Sequence, residues 1–166
     1  MKKLLFIAGL FALATTVNAQ KTSMKSGATT FSIAGNVGPA TTADYTQAFG
    51  GDIQVDLPVG TGLKITGSGG YENFGYKVGT FKGHSSVIPL LAGVKFNLST
   101  NVYGHAQLGY SISTASGVKG AFTYAPSVGY MFSPNFDASV KYLGLSYGNG
   151  SNTTLSAVVA RLAYNF

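Results

Sequence analysis

The sequence predicts an all-β fold, an eight-stranded antiparallel transmembrane β-barrel in up-and-down order that follows a cleaved signal peptide. Apolar and polar residues alternate along eight stretches, each of about ten residues or slightly more, which is the length of a tilted membrane-crossing strand. Only 10% of the 166 residues are charged, while 13% are aromatic and 23 are glycine; average soluble domains have about 25% charged residues. Cysteine is absent, and a closed barrel pairs every strand edge without needing disulfides.

The first 19 residues have the pattern of a secretory signal peptide. Two lysines follow Met1, an apolar run extends from Leu4 to Ala14, and Ala19 ends a small-residue cleavage pattern. The run is too short for a transmembrane helix, which needs about 20 apolar residues. We therefore expect a signal peptide at residues 1–19, a periplasmic N-terminal segment at 20–27 and the barrel domain at 28–166.

Each predicted strand has an apolar and a polar row, because successive side chains of a strand point to opposite faces. The strands are predicted at residues 28–37, 47–57, 62–72, 84–97, 102–113, 120–132, 136–147 and 154–166. In that order, the apolar rows contain Phe31 and Ile33, Phe49 and Ile53, Leu63 and Ile65, Leu90 and Val94, Leu108 and Tyr110, Tyr124 and Val128, Val140 and Tyr142, and Leu162 and Tyr164. The other rows contain Ser32 and Asn36, Asp52 and Gln54, Lys64 and Glu72, Lys95 and Asn97, His105 and Gln107, Thr123 and Ser127, Asp137 and Lys141, and Arg161 and Asn165.

The connections between the predicted strands alternate in length. The tight ones are rich in proline, glycine, asparagine and serine, which favour turns, and lie at residues 58–61, 98–101 and 133–135. The longer ones lie at residues 39–46, 73–83, 114–119 and 148–153. Membrane barrels alternate short periplasmic turns with longer outer loops, so we expect both chain termini on the periplasmic side.

Charged residues fall on the polar rows, and the apolar rows contain none within the predicted strands. A lysine or arginine in the middle of a lipid-facing surface costs about 2–4 kcal/mol, so we expect the polar rows to face the lumen. The predicted lumen charge network comprises Asp52, Asp56, Lys64, Glu72, Lys95, His105, Asp137, Lys141 and Arg161. A soluble barrel has the opposite orientation, and alternation by itself is compatible with both.

Aromatic residues of the apolar rows concentrate at the strand ends beside the tight turns. We predict that they form a girdle at the periplasmic membrane interface, where barrel proteins place such residues. The predicted girdle comprises Phe31, Phe96, Tyr130, Phe132 and Phe136.

The last strand, TLSAVVARLAYNF, ends on Phe166 and has Tyr164 two residues earlier on the same face. This ending and the two-row pattern of the whole barrel domain resemble small outer-membrane barrels of the OmpX type and the membrane domain of OmpA. The resemblance implies that Tyr164 and Phe166 are an assembly signal for the barrel-assembly machinery. It further implies a monomer in the outer membrane, in contact with lipid and lipopolysaccharide.

Two prolines depart from this pattern, because Pro89 and Pro126 fall inside predicted strands. Proline cannot donate a hydrogen bond to a neighbouring strand and is normally confined to edges or bulges. We therefore expect bulges or lateral gaps at these positions, or a misplacement of the two strands.

The leading function is a structural or surface-interaction role without catalysis. With two histidines and no cysteine, neither a metal nor another cofactor is expected, and His105 is assigned to the lumen network. Scattered basic residues argue against nucleic acid binding. Contacts with phosphates and sugars of the outer leaflet are predicted in the 73–83 loop, at Tyr76, Lys77, Phe81 and Lys82.

Three other functions remain open at this point. The first is a narrow porin-like channel through the charged lumen. The second is a lipid-modifying enzyme, because His84 and Ser86 share a row and resemble the His and Ser of outer-membrane lipid A deacylases. That pattern lacks a carboxylate clearly placed to orient the histidine. The third is a periplasmic lipocalin-like binder with its rows reversed.

Overall fold

The computed structural model describes residues 28–78, 80–115, 117–149 and 151–166. Its eight strands are β1 (Thr30–Pro39), β2 (Tyr45–Gly60), β3 (Leu63–Val78), β4 (Phe81–Asn97), β5 (Val102–Ser113), β6 (Ala121–Met131), β7 (Phe136–Asn149) and β8 (Ser151–Asn165). The predicted signal peptide at residues 1–19 and the predicted N-terminal segment at 20–27 both lie outside the described residues. No helix of the described part is long and apolar enough to span a membrane.

The strands form a closed barrel in sequence order, with every neighbouring pair antiparallel. β1 pairs with β2 on one side and closes the ring by pairing with β8 on the other, for example Ala34 with Ala163. The predicted all-β, eight-stranded antiparallel meander is therefore confirmed. Closure leaves no strand edge unpaired, which explains how the fold holds without disulfides.

The two ends of the barrel differ in their connections. We call one the turn end: it carries the tight connections 61–62, 98–101 and 132–135 and the ends of β1 and β8 where the described chain enters and leaves. Gly62 adopts a left-handed backbone there, with φ of 73°. The opposite end, with residues 40–44 and 114–120, is called the loop end.

The strands at the loop end are longer than the sequence predicts. Residues 73–83, predicted as the longest outer loop, instead form the upper arms of the β3–β4 hairpin, which pair from Asn73 with Ser86 up to Val78 with Phe81. Likewise, β7 and β8 continue to Asn149 and from Ser151 across the predicted 148–153 loop. Both loop predictions are wrong. The polar and aromatic residues of these segments form strand pairs through their backbone, although the strict alternation of apolar and polar side chains has ended there.

Pro89 and Pro126 lie within β4 and β6, so these strands are correctly placed, but the expected bulges are wrong. The β3–β4 and β6–β7 pairings resume in the same register beyond each proline. Pro89 pairs with Ser111 of β5, and Pro126 pairs with Ala106 of β5. On the side away from β5, the strand pairing is interrupted at each proline, between β4 and β3 at Pro89 and between β6 and β7 at Pro126. The interruption agrees with the missing N–H of proline.

Side chains outside the barrel are apolar, and those inside are polar over much of its height. On β8, Leu162 is 58% exposed, whereas the neighbouring Arg161 is buried. The same contrast separates Ile53 from Asp52 on β2 and Val140 from Lys141 on β7. The barrel therefore has an apolar outer surface around an interior that contains charges.

Candidate functional site

Asp52 is the centre of the interior charge network. The Arg161 guanidinium donates hydrogen bonds to both carboxylate oxygens of Asp52, with Nη2 2.7 Å from Oδ1 and Nε 3.1 Å from Oδ2. Lys141 Nζ donates to Oδ2 over 3.3 Å, and Asn36 Nδ2 donates to the same oxygen over 3.1 Å. These four groups come from four strands, β1, β2, β7 and β8. The cluster therefore links the strands on both sides of the β1–β8 seam, where the barrel closes.

Asp137 forms a second bonding centre nearer the turn end. Its Oδ1 accepts a hydrogen bond of 2.5 Å from the Tyr103 hydroxyl, and its Oδ2 accepts one of 2.8 Å from Asn165 Nδ2. Arg161 Nη1 lies 3.8 Å from Oδ1 and connects this centre to Asp52. Tyr103 of β5 reaches Asp137 of β7 over the strand between them, β6, where residue 129 is glycine. A Cβ at Gly129 would lie 2.2 Å from the tyrosine ring.

Asp56 anchors the remaining side of the network. It accepts hydrogen bonds from Lys95 Nζ at 3.1 Å and from Gln54 Nε2 at 2.6 Å. The Lys95 ammonium also lies 4.2 Å from the centre of the Tyr103 ring, a distance at which a cation is attracted to the ring face. Lys64 is half-buried and donates to Thr30 Oγ1 over 3.3 Å.

His105 and Glu72 have different surroundings. His105 Nε2 is 2.8 Å from Thr66 Oγ1, and among the described residues no group of three or more His, Cys, Asp or Glu is arranged to hold a metal. Glu72 accepts a hydrogen bond of 2.6 Å from Asn36 Nδ2. The structure thus brings eight of the predicted lumen residues into the buried interior, with Lys64 at its margin.

The interior near the loop end is apolar, although the alternation of the sequence predicts polar side chains along the inward rows. Along one inward row of β7, Asp137, Ser139 and Lys141 are followed by Leu143 and Leu145. The buried apolar cluster comprises Ala48, Phe74, Val87, Leu91, Ala121, Ala125, Leu143, Leu145, Leu155, Ala157 and Val159. The available signal was the loss of alternation at Tyr142–Leu145 and Ala157–Ala160, where both faces are apolar or small.

The outward face of the β3–β4 hairpin changes character with height. It is apolar up to Tyr71, and then Asn73 pairs with Ser86, Gly75 with His84, and Lys77 with Lys82. Both lysines are exposed. This face therefore passes from an apolar band to a polar and then a cationic rim.

The other predicted outer contacts separate. Tyr76 turns inward, and its ring centre lies 5.9 Å from that of Tyr45. Phe81 is 79% exposed at the tip of the hairpin. The lysines and Phe81 are thus available to a partner outside the barrel, whereas Tyr76 packs at the mouth of the lumen.

His84 and Ser86 share the outward face but do not form a catalytic pair. Asn73 lies between them, with its Oδ1 3.0 Å from His84 Nδ1 and its Nδ2 donating to Ser86 Oγ over 2.8 Å. The serine hydroxyl is therefore bonded to an amide, and not to the imidazole that would have to remove its proton.

Aromatic rings cluster on the outer surface at the turn end. Tyr164 lies between Phe136 and Phe166, with ring centres 5.1 and 5.0 Å apart, and Tyr130 and Phe132 are 5.3 Å apart. Phe31 and Phe96 are also exposed at this end.

No protein-family model matches the sequence, and no curated protein matches it. The fold does match solved structures. Ail, the attachment invasion locus protein of Yersinia pestis, superposes with a TM-score of 0.60 and 15% identity over 86% of this chain and 100% of that one. A second structure of Ail, in complex with the heparin analogue sucrose octasulfate, gives a TM-score of 0.58 and 14% identity over the same shares.

The N-terminal β-barrel domain of Pseudomonas aeruginosa OprF gives a TM-score of 0.56 and 15% identity, covering 84% of this chain and 99% of that one. A de novo designed transmembrane β-barrel gives 0.53 and 17%, covering 87% and 100%. The chain therefore has the fold of small eight-stranded outer-membrane β-barrels.

Proposed function

We propose that this chain is an integral outer-membrane β-barrel that is closed to ions, catalyses no reaction, and presents a cationic rim to the outer leaflet and to surface partners. Both termini then lie on the periplasmic side, and the aromatic cluster at the turn end forms the periplasmic girdle. Tyr164 and Phe166 are the proposed signal for the barrel-assembly machinery, and the surrounding ligands are lipid and lipopolysaccharide around a monomer.

The observation that carries this proposal is the orientation of the rows. Exposed apolar side chains cover the outside of every strand. On β3 this outer surface extends from Leu63 to Tyr71, which is nine residues when the outward-facing and inward-facing residues are both counted. A membrane-crossing strand needs about 9–11 residues. Such a surface is favourable in a bilayer, whereas a lipocalin-like binder in water requires the reverse arrangement.

The interior packing supports a closed barrel over a porin-like channel. An eight-stranded barrel is about wide enough for its own side chains to fill the lumen. Here Leu145, Leu155 and Phe74 are almost completely buried at the loop end, above the ion pairs of Asp52. A conducting path would have to displace this apolar layer as well as the ion pairs.

The distribution of charge supports a surface-interaction role. Outside the interior network, the charged residues of the described chain are Lys77, Lys82 and Lys119 with Asp44, and all of them lie at the loop end. This cationic rim suits phosphate groups such as those of lipopolysaccharide. Ail, which shares the fold, has been crystallised with the sulfated sugar sucrose octasulfate.

The proposal is tested by refolding the chain from residue 20 into detergent and into planar bilayers. We expect a β-rich spectrum, a gel band whose mobility changes on boiling, and no stepwise conductance. A chain that stays soluble and monomeric without detergent contradicts the membrane location. Regular conductance steps that change in Arg161→Met contradict the closed barrel and support the channel.

A further inference from the structure

Glu72 differs from the other buried carboxylates of the barrel. Asp52, Asp56 and Asp137 each have a lysine or arginine nitrogen within 4 Å, whereas Glu72 forms no ion pair with the described residues. It is only 3% exposed, and the next inward residue on β3 is the fully buried Phe74. An ionised carboxylate is poorly stabilised at such a position, because burial without a partner disfavours the charged form.

Two buried oxygen atoms at this position have no hydrogen-bond partner. They are Glu72 Oε2 and Asn36 Oδ1, and they belong to the two residues that are already joined by the 2.6 Å bond from Asn36 Nδ2 to Glu72 Oε1. The orientation of the Asn36 amide is determined by its neighbours, because Nδ2 donates to both Glu72 and Asp52. Both unpartnered atoms are acceptors when the glutamate is ionised, so the pair lacks one hydrogen.

We propose that Glu72 is a buried proton-binding site, which holds a proton on Oε2 at neutral pH and donates it to Asn36 Oδ1. The acid and the amide then form a two-point pair, with Nδ2–H bonded to Oε1 and Oε2–H bonded to Oδ1. One proton taken from solvent during assembly satisfies both acceptors and removes the unpaired charge. The four buried or half-buried cations of the interior are then opposed by three carboxylates.

The groups around Glu72 also indicate what would displace the proton. Asn36 on β1 and Asp52 on β2 face it directly, while Val87 is its partner on β4 and carries no charge. Across the lumen lie Lys141 of β7 and Arg161 of β8, and both are bonded to Asp52. Asp52 disfavours a second negative charge next to it, whereas Lys141 would favour that charge if it left Asp52 for Glu72.

The sequence offers a direct test, because Glu72 is its only glutamate. The refolded protein is labelled with ¹³C-glutamate, and the carboxyl signal is recorded by infrared spectroscopy and carbon NMR at neutral pH. We expect the labelled carboxyl to give the signal of a neutral acid, which shifts in D₂O and changes to that of a carboxylate at alkaline pH. Labelling with ¹³C-aspartate is the control, and Asp52, which pairs with Lys141 and Arg161, should give the signal of a carboxylate.

A labelled glutamate that gives only a carboxylate signal at pH 7 overturns the proposal and assigns Glu72 to Lys141. The Glu72→Gln variant adds a stability readout, because glutamine supplies the donor without a charge. We expect the wild type to lose its heat-modifiable folded band as the pH rises, and Glu72→Gln to keep it. Equal loss in both proteins also overturns the proposal.

Discussion

The two halves of the barrel interior have the same backbone and different chemistry. The half near the turn end is connected by ion pairs and hydrogen bonds around Asp52, Asp56 and Asp137. The half near the loop end contains Phe74, Leu145 and their apolar neighbours, with one hydroxyl pair, Ser111 and Thr123, at 2.6 Å. In a closed barrel the backbone hydrogen bonds run between neighbouring strands around the whole ring, so the fold of the backbone does not depend on which side chains fill the lumen.

The two fillings stabilise the barrel in different ways. A buried ion pair contributes little beyond the cost of removing its charges from water, but the loss of one partner is severe. An apolar layer contributes in proportion to the area it buries, and its loss leaves a cavity. The ion pairs of the polar half join β2 to β7 and β8 close to the β1–β8 seam, while the side chains of the apolar half fill the interior near the loop end.

The largest expected effect comes from removing the central cation of the polar half. Arg161→Met leaves Asp137 without its guanidinium contact and Asp52 without its strongest partner. We expect a loss of about 3–5 kcal/mol in the free energy of unfolding, because a charge is left buried. The measurement is urea unfolding in lipid vesicles.

Lys119→Met is the matched control for this experiment, since Lys119 is exposed at the loop end. We expect it to change the free energy of unfolding by a small fraction of the Arg161→Met effect. Equal losses in the two variants would mean that the ion pairs at the seam do not contribute to stability.

The next largest effect is expected in the apolar half of the interior. Leu145→Ala removes a fully buried side chain of the apolar half, and we expect a loss of about 2–5 kcal/mol from lost burial and the resulting cavity. Leu162→Ala makes the same chemical change on the outer surface, where lipid fills the space, so its loss should be smaller. A larger loss at Leu162 in vesicles would show that the loop-end interior is loosely packed.

The sequence predicts the strands and the polar half well, for a physical reason. A charge excluded from the outer surface has to point inward, so alternation locates residues such as Asp52 and Arg161. Leu145 and Phe74 carry no such constraint, because an apolar side chain is acceptable on either side of a membrane barrel. The prediction of a loop at residues 73–83 is wrong for a related reason. Beyond the apolar band, two strands can pair through their backbone without any alternation of apolar and polar side chains.

A smaller effect tests how closely the polar half is packed. Gly129→Ala places a methyl group against the Tyr103 ring that reaches Asp137. We expect a loss of about 1–3 kcal/mol from overpacking, measured by the same unfolding experiment. In the control Gly35→Ala, the new methyl group has no neighbouring atom within 4 Å. Equal losses in the free energy of unfolding of the two variants would mean that the Tyr103 ring does not lie against residue 129.

The smallest effect extends the comparison to the cationic rim. Lys82 faces Lys77 directly across the β3–β4 hairpin, and like charges at such positions are destabilising. We expect Lys82→Gln to stabilise the barrel by about 0.2–1 kcal/mol and to weaken its binding to lipopolysaccharide vesicles. Lys119→Gln removes one charge from the same end without relieving a cross-strand pair, so it should weaken binding without stabilising the fold. If Lys82→Gln destabilises the barrel in the absence of anions, the two lysines are not held side by side, and the rim is not a preformed anion site.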